Sequence, residues 1–289
     1  MNRKDFLQKS ALGLGALAAT AGITVASQAE TAPQQEGFNH IPPSKPERMN
    51  NVIIHRADSR GKADHGWLKS FHTFSFAQYY NPERMQFGVL RVLNDDQVAP
   101  GMGFGTHPHD NMEIISIPLS GDLEHRDSMG NVSVIRENDI QVMSAGTGIT
   151  HSEYNKNKDK SVSFLQIWVF PKTRNVKPRY DQISLDASKQ QNRLEQVLSP
   201  NPNDQGVWIH QDAWFHLGRF EAGKGETYSL RKPGNGIYVF VLEGSLQVDD
   251  QLLKTRDGMG VTNTSTLQFT ARENARVLVM DVPMERHAS

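Results

Sequence analysis

Short apolar runs, separated by turns rich in Gly, Asn and Asp, make up most of the chain after residue 51. The clearest is Ser161–Phe170, which Pro171 ends. Similar runs occupy Phe87–Leu93, Glu113–Leu119, Val132–Ile135, Ile140–Met143, Trp214–Phe220, Gly236–Leu242 and Ala275–Val282. Short strands at intervals of about 8–12 residues are typical of sandwiches and barrels, not of alternating strands and helices. The pattern therefore predicts an all-β chain.

The two halves of the chain repeat one arrangement of runs. Glu113–Gly121 in the first half parallels Tyr238–Gly244 in the second, and a hairpin, a turn and a late apolar strand follow each of them. We therefore predict two β-barrel domains, at residues 51–171 and 207–289. Residues 172–206 are polar and poor in strand signals, which predicts an interdomain connection with one short helix over Ala187–Leu198.

The first 29 residues resemble an export signal. A charged start, Asn2–Lys9, precedes an apolar stretch, Ala11–Ala26, and small residues up to Ala29 suit a cleavage site. Arg3 and Lys4 resemble a twin-arginine signal in which lysine replaces the second arginine, so both the Tat and the Sec route remain open. We predict a periplasmic protein. An ordinary N-terminal helix of a cytoplasmic protein is the alternative.

Composition excludes several classes of function. The apolar stretch near the N-terminus is too short and too weakly apolar to span a membrane, so we expect no stable membrane anchor. Residues 30–50 are rich in Gln, Pro and Glu and are predicted to be flexible. The 289 residues include no cysteine, which rules out disulfides, thiolate ligands and a cysteine nucleophile. A net charge of −1 gives no electrostatic footprint for nucleic acid.

Two pairs of metal-binding residue types lie beside glycine clusters: His107-Pro-His109 and His151-Ser-Glu153. Side chains at positions i and i+2 of a strand point to the same face, so each pair would project together into a barrel. Three imidazoles and one carboxylate suit Fe(II), Mn, Ni, Co or Cu(II), with Zn also possible, and leave positions open for substrate or dioxygen. Glu113 shares the parity of the first pair and remains a rival ligand. The alternative is that these are ordinary core or surface histidines.

The charge of such a site gives a second argument. Three neutral imidazoles, one carboxylate and a divalent ion sum to a single positive charge, which favours a monoanionic ligand such as an enolate or phenolate oxygen. Without a metal, burial of an unpaired Glu153 would be costly, and the carboxyl group would stay protonated.

These motifs resemble those of the cupins. Gly101–Gly121 is similar to the first cupin motif, and Gly148–Asn155 is similar to the end of the second. A closer resemblance, from about residue 51 to 180, is to the pirins, which are bicupins. The segments that carry it are His55–Gly61, Ser70–Phe76, Gly88–Asp96, His107–His109 and Ser144–Glu153. The resemblance implies two jelly-roll cupin barrels behind the signal segment, the second without metal ligands.

The resemblance also implies a ligand set and an activity. The four ligands would be His107, His109, His151 and Glu153, and Glu113 would not be one. Bacterial pirins resemble quercetin 2,3-dioxygenases, which implies a phenolic substrate, dioxygen and one divalent metal. We expect Fe(II), with Ni, Co, Mn, Cu or Zn as alternatives. Glu153 would act either as the base that accepts the substrate proton or only as a ligand.

Two other functions remain open from the sequence. One is a metal-binding regulatory or protein-interaction module of the pirin type, and the other is a cupin enzyme that acts on a different small oxygenated substrate. We expect a monomer. Candidates for the substrate pocket are His72, Phe74, Phe104 and Met112, with core packing as the alternative for the aromatic residues. His72 could also act as a hydrogen-bonding partner behind the ligands.

Overall fold

A computed structural model of the protein describes residues 48–49 and 51–285. The predicted signal segment at residues 1–29 lies outside the described residues, as does most of the predicted flexible segment. The first strands in chain order are β1 (Arg48–Met49), β2 (Val52–His55), β3 (Gly61–Asp64), β4 (Leu68–His72), β5 (Leu90–Val98), β6 (Gly103–His109), β7 (Glu113–Ser120), β8 (Leu123–Asp127), β9 (Val132–Ile135), β10 (Asp139–Ser144), β11 (Ile149–Asn155) and β12 (Val162–Val169).

The remaining strands are β13 (Arg179–Ser184), β14 (Leu194–Ser199), β15 (Val207–Trp208), β16 (Trp214–Phe220), β17 (Gly225–Ser229), β18 (Asn235–Glu243), β19 (Ser245–Val248), β20 (Gln251–Lys254), β21 (Gly258–Val261), β22 (Thr266–Ala271) and β23 (Ala275–Pro283). Two short 3-10 helices, Ala57–Ser59 and Ala187–Gln190, are the only helical segments among the described residues. The all-β prediction is therefore confirmed for this part of the chain. None of its helices is long and apolar enough to cross a membrane.

The strands form four sheets. A seven-stranded sheet has the order β13-β10-β7-β12-β5-β4-β3, and a four-stranded sheet, β6-β11-β8-β9, covers one face of it. An eight-stranded sheet has the order β1-β2-β21-β18-β23-β16-β14-β15, and the four-stranded sheet β17-β22-β19-β20 covers it. Each large sheet and its cover form one barrel, as the repeated pattern of apolar runs predicts.

The main hydrophobic core lies between the two large sheets. Ile115 and Ile117 of β7 pack in one cluster with Tyr238 and Phe240 of β18. Alternate residues of β18 face the other way, and Val239 lies in the interior of the second barrel. Burial on both faces explains why β18 is a nearly continuous apolar run, because each face meets a different core.

The interiors of the two barrels differ in chemistry. The second barrel is filled mostly by aliphatic and aromatic side chains from its two sheets, among them Val239, Met259 and Phe269, and its buried polar side chains include His216 and Asp281. At the equivalent place in the first barrel, Ser116 and Gln166 project from the seven-stranded sheet and contact Glu153. A barrel with a polar interior can hold a reactive site, whereas a barrel with an apolar interior is packed as a core.

The chain crosses from the second barrel to the first between β2 and β3. Strand β2 pairs with β21, with Val52 opposite Val261 and His55 opposite Gly258. His55 Nδ1 also lies 2.7 Å from the hydroxyl oxygen of Tyr238. Residues 52–55, predicted as part of the first domain, thus complete the sheet of the second barrel.

One prediction from the sequence is wrong. The helix expected over Ala187–Leu198 is absent, because only Ala187–Gln190 form a helical turn and Leu194–Ser199 are strand β14. Strand β14 pairs with β16 in the eight-stranded sheet, and β13 pairs with β10 in the seven-stranded sheet. The predicted connection therefore supplies one strand to each barrel.

Candidate metal centre

Three histidines converge on neighbouring strands of the first barrel. Strands β6 and β11 run antiparallel, with His151 opposite His107 and Ile149 opposite His109. The ring centroids of His107 and His151 lie 4.4 Å apart, and that of His109 lies 4.9 Å from each of the other two. The i, i+2 spacing of the first pair thus places both imidazoles together, as the alternation of a strand requires.

Two imidazoles of this cluster, those of His107 and His151, each keep a nitrogen lone pair that can bind a metal. His107 Nδ1 lies 2.8 Å from the carbonyl oxygen of Gly105 and donates to it, which leaves Nε2 with its lone pair. His151 Nε2 is buried and has no hydrogen-bond partner. Burial lowers the pKa of His109 to about 3 and holds the pKa of His151 well below its usual value, with the neighbouring imidazoles adding to the effect. Neutral imidazoles are the form that ligates metals.

Glu153 lies in the same barrel interior and is 2% exposed. Its carboxyl oxygens accept hydrogen bonds from Ser116 Oγ at 3.1 Å and from Gln166 Nε2 at 2.7 Å. Burial raises the pKa of Glu153 to about 7, although these two hydrogen bonds act in the opposite direction. A carboxyl group in this position lacks a cation, which a divalent metal would supply.

The cluster fits a single divalent metal ion. The candidate ligand atoms of His107, His109 and His151 all lie within 4.8 Å of one another, and so do those of His125, His151 and Glu153. His151 belongs to both groups and joins them. Clustered imidazoles beside a buried carboxyl group are a typical donor set for a first-row divalent metal.

His125 is a member of this cluster that the sequence did not single out. It is fully buried on β8, where it lies opposite Glu153 of β11. Its Nδ1 atom lies 3.4 Å from His151 Nδ1, and its Nε2 atom lies 3.2 Å from Asp127 Oδ2. The useful signal in the sequence is its i, i+2 spacing to Asp127, but only the register of β8 and β11 reveals the contact with His151.

Glu113, the rival ligand, belongs to neither group of candidate ligands among the described residues. Its carboxylate accepts a hydrogen bond from Ser144 Oγ at 2.6 Å, and burial raises its pKa to about 7. Arg179 acts on the same carboxyl group through its charge and lowers the pKa. Glu113 thus has its own set of partners.

The predicted pocket residues fall in different places. Met112 and Trp168 both pack against a small buried cluster that includes Ile114 and Met143, and the indole ring of Trp168 lies 4.9 Å from the ring of His109. Phe104 is half-buried on β6 and makes an edge contact with Trp67. Phe74 is 1% exposed in the core between the barrels, against Tyr238, so it takes the core-packing role.

His72 lies in the interior of the first barrel, in a second polar group. Its Nε2 atom is 2.8 Å from Ser70 Oγ, and Ser70 Oγ in turn donates a short hydrogen bond to Asp96. Burial raises the pKa of Asp96 to about 7, and the charge of Glu153 adds to this rise. An edge contact between His72 and Phe76 closes the group on its other side. None of these contacts joins His72 to a predicted ligand.

Two family models match the chain. The Pirin model matches residues 54–169, and the model of the quercetinase C-terminal cupin domain matches residues 196–282. Together with the two barrels and the histidine cluster, these matches define a cupin protein with a candidate metal centre in its first barrel.

Relatives and solved structures support the same family assignment. The quercetin 2,3-dioxygenase of Escherichia coli K12 is 38% identical over 232 residues, 80% of this chain and 99% of that protein. The pirin-like protein of Caulobacter vibrioides is 38% identical over 78% of this chain and 96% of that protein. The bacterial pirin YhhW of Escherichia coli in complex with nickel(II) has a TM-score of 0.76 and 36% identity, over 80% of this chain and 99% of that one. The chain belongs to the pirin family.

Proposed function

We propose that the protein is a metal-dependent dioxygenase that opens the heterocycle of a flavonol such as quercetin. The observation that carries the proposal is the convergence of three neutral imidazoles beside the buried carboxyl group of Glu153. The proposed ligands of one divalent metal are His107, His109, His151 and Glu153. Fe(II) is the metal we expect, and Ni, Co, Mn, Cu and Zn are the alternatives.

The reaction adds both atoms of dioxygen to the flavonol and releases carbon monoxide and a depside. A bound divalent ion would lower the pKa of the flavonol 3-hydroxyl group and balance the charge of its anion. The residues around the cluster supply the rest. Ser116 and Gln166 orient the carboxyl group of Glu153, which takes up the proton if it acts as the base. Trp168 offers apolar surface beside His109 for a flat aromatic ring, and Met112 packs against the same small cluster as Trp168.

Two relatives support this proposal through their names and ligands. A protein named quercetin 2,3-dioxygenase is 38% identical to this chain, over 99% of that protein's length and 80% of this chain. A bacterial pirin at 36% identity has been crystallised with nickel(II). The first supports the substrate class, and the second supports a single divalent ion as the cofactor.

The activity test uses the full chain loaded separately with Fe(II) and Ni(II) under anaerobic conditions. Quercetin in air-saturated buffer should lose its near-visible absorption band, with one dioxygen consumed and one carbon monoxide released for each quercetin. Full metal occupancy without loss of the band, with either metal, would contradict the flavonol substrate.

The site assignment has a separate test. His107→Ala removes one imidazole and should abolish both tight metal binding and turnover. His65→Ala is the matched control, because His65 is an exposed histidine in the turn between β3 and β4. Turnover in the His107→Ala variant, or equal losses in both variants, would contradict the assignment.

We also propose that the protein is exported to the periplasm after cleavage near Ala29. The support is the charged start and the apolar Ala- and Gly-rich stretch of the first 29 residues. Mass spectrometry of the protein from its host should find a mature N-terminus close to Glu30. An intact Met1 in the cytoplasmic fraction would contradict this.

A further inference from the structure

His125 connects the proposed metal ligand His151 to a carboxylate on the far side of the site. The side chains of His125 and Asp127 are both fully buried. The Nδ1 atoms of His125 and His151 are 3.4 Å apart, and His125 Nε2 lies 3.2 Å from Asp127 Oδ2. The ring of Tyr180 covers His125, with centroids 4.8 Å apart. The side chains of His151, His125 and Asp127 therefore form a row that leads away from the candidate metal site.

The turn after β8 holds Asp127 in place. Its Oδ1 atom accepts hydrogen bonds from the backbone N–H groups of Met129 at 2.9 Å and Asn131 at 3.1 Å. Its Oδ2 atom accepts one from Asn131 Nδ2 at 2.9 Å, besides the contact with His125. Burial would raise the pKa of Asp127, but these hydrogen bonds outweigh it and lower the pKa. Asp127 is thus an acceptor whose orientation the backbone determines.

The fixed acceptor Asp127 determines which ring nitrogen carries the hydrogen in His125 and in His151. A neutral imidazole has one N–H and one lone pair. Asp127 can only accept, so His125 carries its hydrogen on Nε2 and presents the Nδ1 lone pair to His151. His151 then carries its hydrogen on Nδ1, and its Nε2 lone pair is free. That Nε2 atom is the buried nitrogen without a partner in the metal cluster.

We propose that His125 and Asp127 are positioning residues that select the tautomer of His151 in which Nε2 faces the metal. The inference rests on the proposed role of His151 as a ligand. Ligating histidines generally donate their second N–H to a carboxylate or carbonyl group, and here an imidazole stands between ligand and carboxylate. If His125 instead bound metal itself, with His151 and Glu153, its Nδ1 lone pair would be directed at a second ion.

The first experiment reads the tautomers in the metal-free protein. Two-dimensional NMR of the protein with 15N-labelled histidine distinguishes Nδ1–H from Nε2–H imidazoles, and histidine variants assign the signals. His125 should be the Nε2–H tautomer and His151 the Nδ1–H tautomer. The opposite tautomer at either residue overturns the proposal. This readout depends neither on bound metal nor on turnover.

The second experiment measures Ni(II) affinity in a double-mutant cycle. Asp127→Asn keeps Oδ1 as the acceptor for the backbone N–H groups of the turn and loses the hydrogen bond from Asn131 Nδ2. Its amide group donates to His125 Nε2 and so moves the hydrogen of His125 to Nδ1, opposite the N–H of His151. His125→Leu removes the acceptor, whereas His125→Asn keeps an oxygen near the place of Nδ1. Asp127→Asn and His125→Leu should each weaken binding by about 10–100-fold, and His125→Asn should recover most of it.

The double variant separates positioning from folding. In the His125→Leu background, Asp127→Asn should cause no further loss of affinity, because the row is already interrupted. An additional loss of the same size would show that Asp127 acts only through the turn, and it would overturn the proposal. Two Ni(II) ions bound per wild-type chain, one of them lost with His125, would also overturn it. Absence of Ni(II) binding by the wild type, with the expected tautomers present, would contradict the proposed function alone.

Discussion

A carboxyl group buried without a cation binds its proton tightly, and Glu153 has this property in the metal-free protein. Its pKa is raised to about 7, so below that pH a metal ion must displace a proton to use the carboxylate. Metal affinity should therefore rise as the pH is raised from 5 to 7, by up to about tenfold per pH unit, and level off above. Competition with a chelator of known pH dependence measures this slope.

Glu113→Gln provides a matched control for Glu153→Gln. Both glutamates are buried, and burial raises both pKa values to about 7. Glu153→Gln should lower metal affinity and flatten the pH slope, whereas Glu113→Gln should leave both unchanged. A reversed result would make Glu113 the ligand. If Glu153→Gln retains its metal but loses turnover, Glu153 acts as the base.

A second pH effect belongs to the other barrel. His216 is 2% exposed, and burial, assisted by Arg231, lowers its pKa to about 3. Between pH 6.5 and 3 the unfolded chain binds this proton and the folded protein does not, so stability falls as the pH falls. Between pH 7 and pH 5, the lowered pKa of His216 in the folded protein should reduce the free energy of unfolding by about 2 kcal/mol.

His216→Phe removes this titration and keeps a ring beside Tyr228. Urea unfolding of the metal-free wild type and variant at pH 7 and pH 5 measures how much free energy of unfolding each protein loses between the two pH values. The variant should lose less stability than the wild type over this range, while His55 and His72, whose pKa values are also lowered, continue to contribute in both proteins. Equal losses would mean that His216 takes up its proton in the folded protein.

At the scale of single elements, strand β2 is held by its pairing with β21 and by one buried hydrogen bond. Tyr238→Phe removes the hydroxyl group that meets His55 Nδ1 at 2.7 Å and leaves a buried nitrogen without a partner. The expected loss is about 1–3 kcal/mol of the free energy of unfolding, measured in urea. Tyr80→Phe is the control, since Tyr80 is 72% exposed and the same change there should cost almost nothing.

The strands that are short apolar runs ended by turn residues, such as β7, β12, β18 and β23, could be predicted from the sequence. Polar strands such as β3 and β13 could not. Strand β14 is predicted from the sequence to be part of a helix. Its run, Leu194–Ser199, is short and contains Glu195 and Gln196, and such runs do not distinguish strand from helix. Its pairing with β15 and β16 decides that it is a strand, and both partners follow it in the sequence. Tertiary context here outweighs local propensity.

The candidate metal centre, too, could be predicted only where the information lies within one strand. The pairs His107/His109 and His151/Glu153 could be found because their spacing lies within one strand. The contacts of Glu153 with Ser116 and Gln166, and of His151 with His125, join different strands. Such contacts depend on which residues of different strands lie opposite one another and on how the two sheets of the barrel face each other. Spacing within one strand specifies neither.

At the scale of the whole molecule, the two barrels share one hydrophobic core. Ile115 and Leu165 of the first barrel belong to the same cluster as Phe215 and Leu278 of the second. Calorimetry of the full chain should therefore show one unfolding transition, and metal bound in the first barrel should shift all of it to higher temperature. Two resolved transitions, of which only one responds to metal, would contradict this.

A core substitution tests the same coupling from the other side. Phe215→Ala lies in the second barrel, on the face directed at the shared core, and should cost about 3–5 kcal/mol. Because the core is shared, the variant should also release its metal at a lower urea concentration than the wild type. Metal release at the wild-type concentration, from a variant whose second barrel unfolds earlier, would show that the barrels unfold independently.

The pairing of β2 with β21 has a consequence for synthesis on the ribosome. The partner of Val52–His55 is Gly258–Val261, which is made about 200 residues later. At about 5–20 residues per second, the first of these strands waits roughly 10–40 s for its neighbour. The nascent chain therefore exposes the apolar face of its first barrel until nearly all of the protein has been translated. A premature stop before Gly258 would leave β2 without its partner strand and the half with the candidate metal centre without a complete covering sheet.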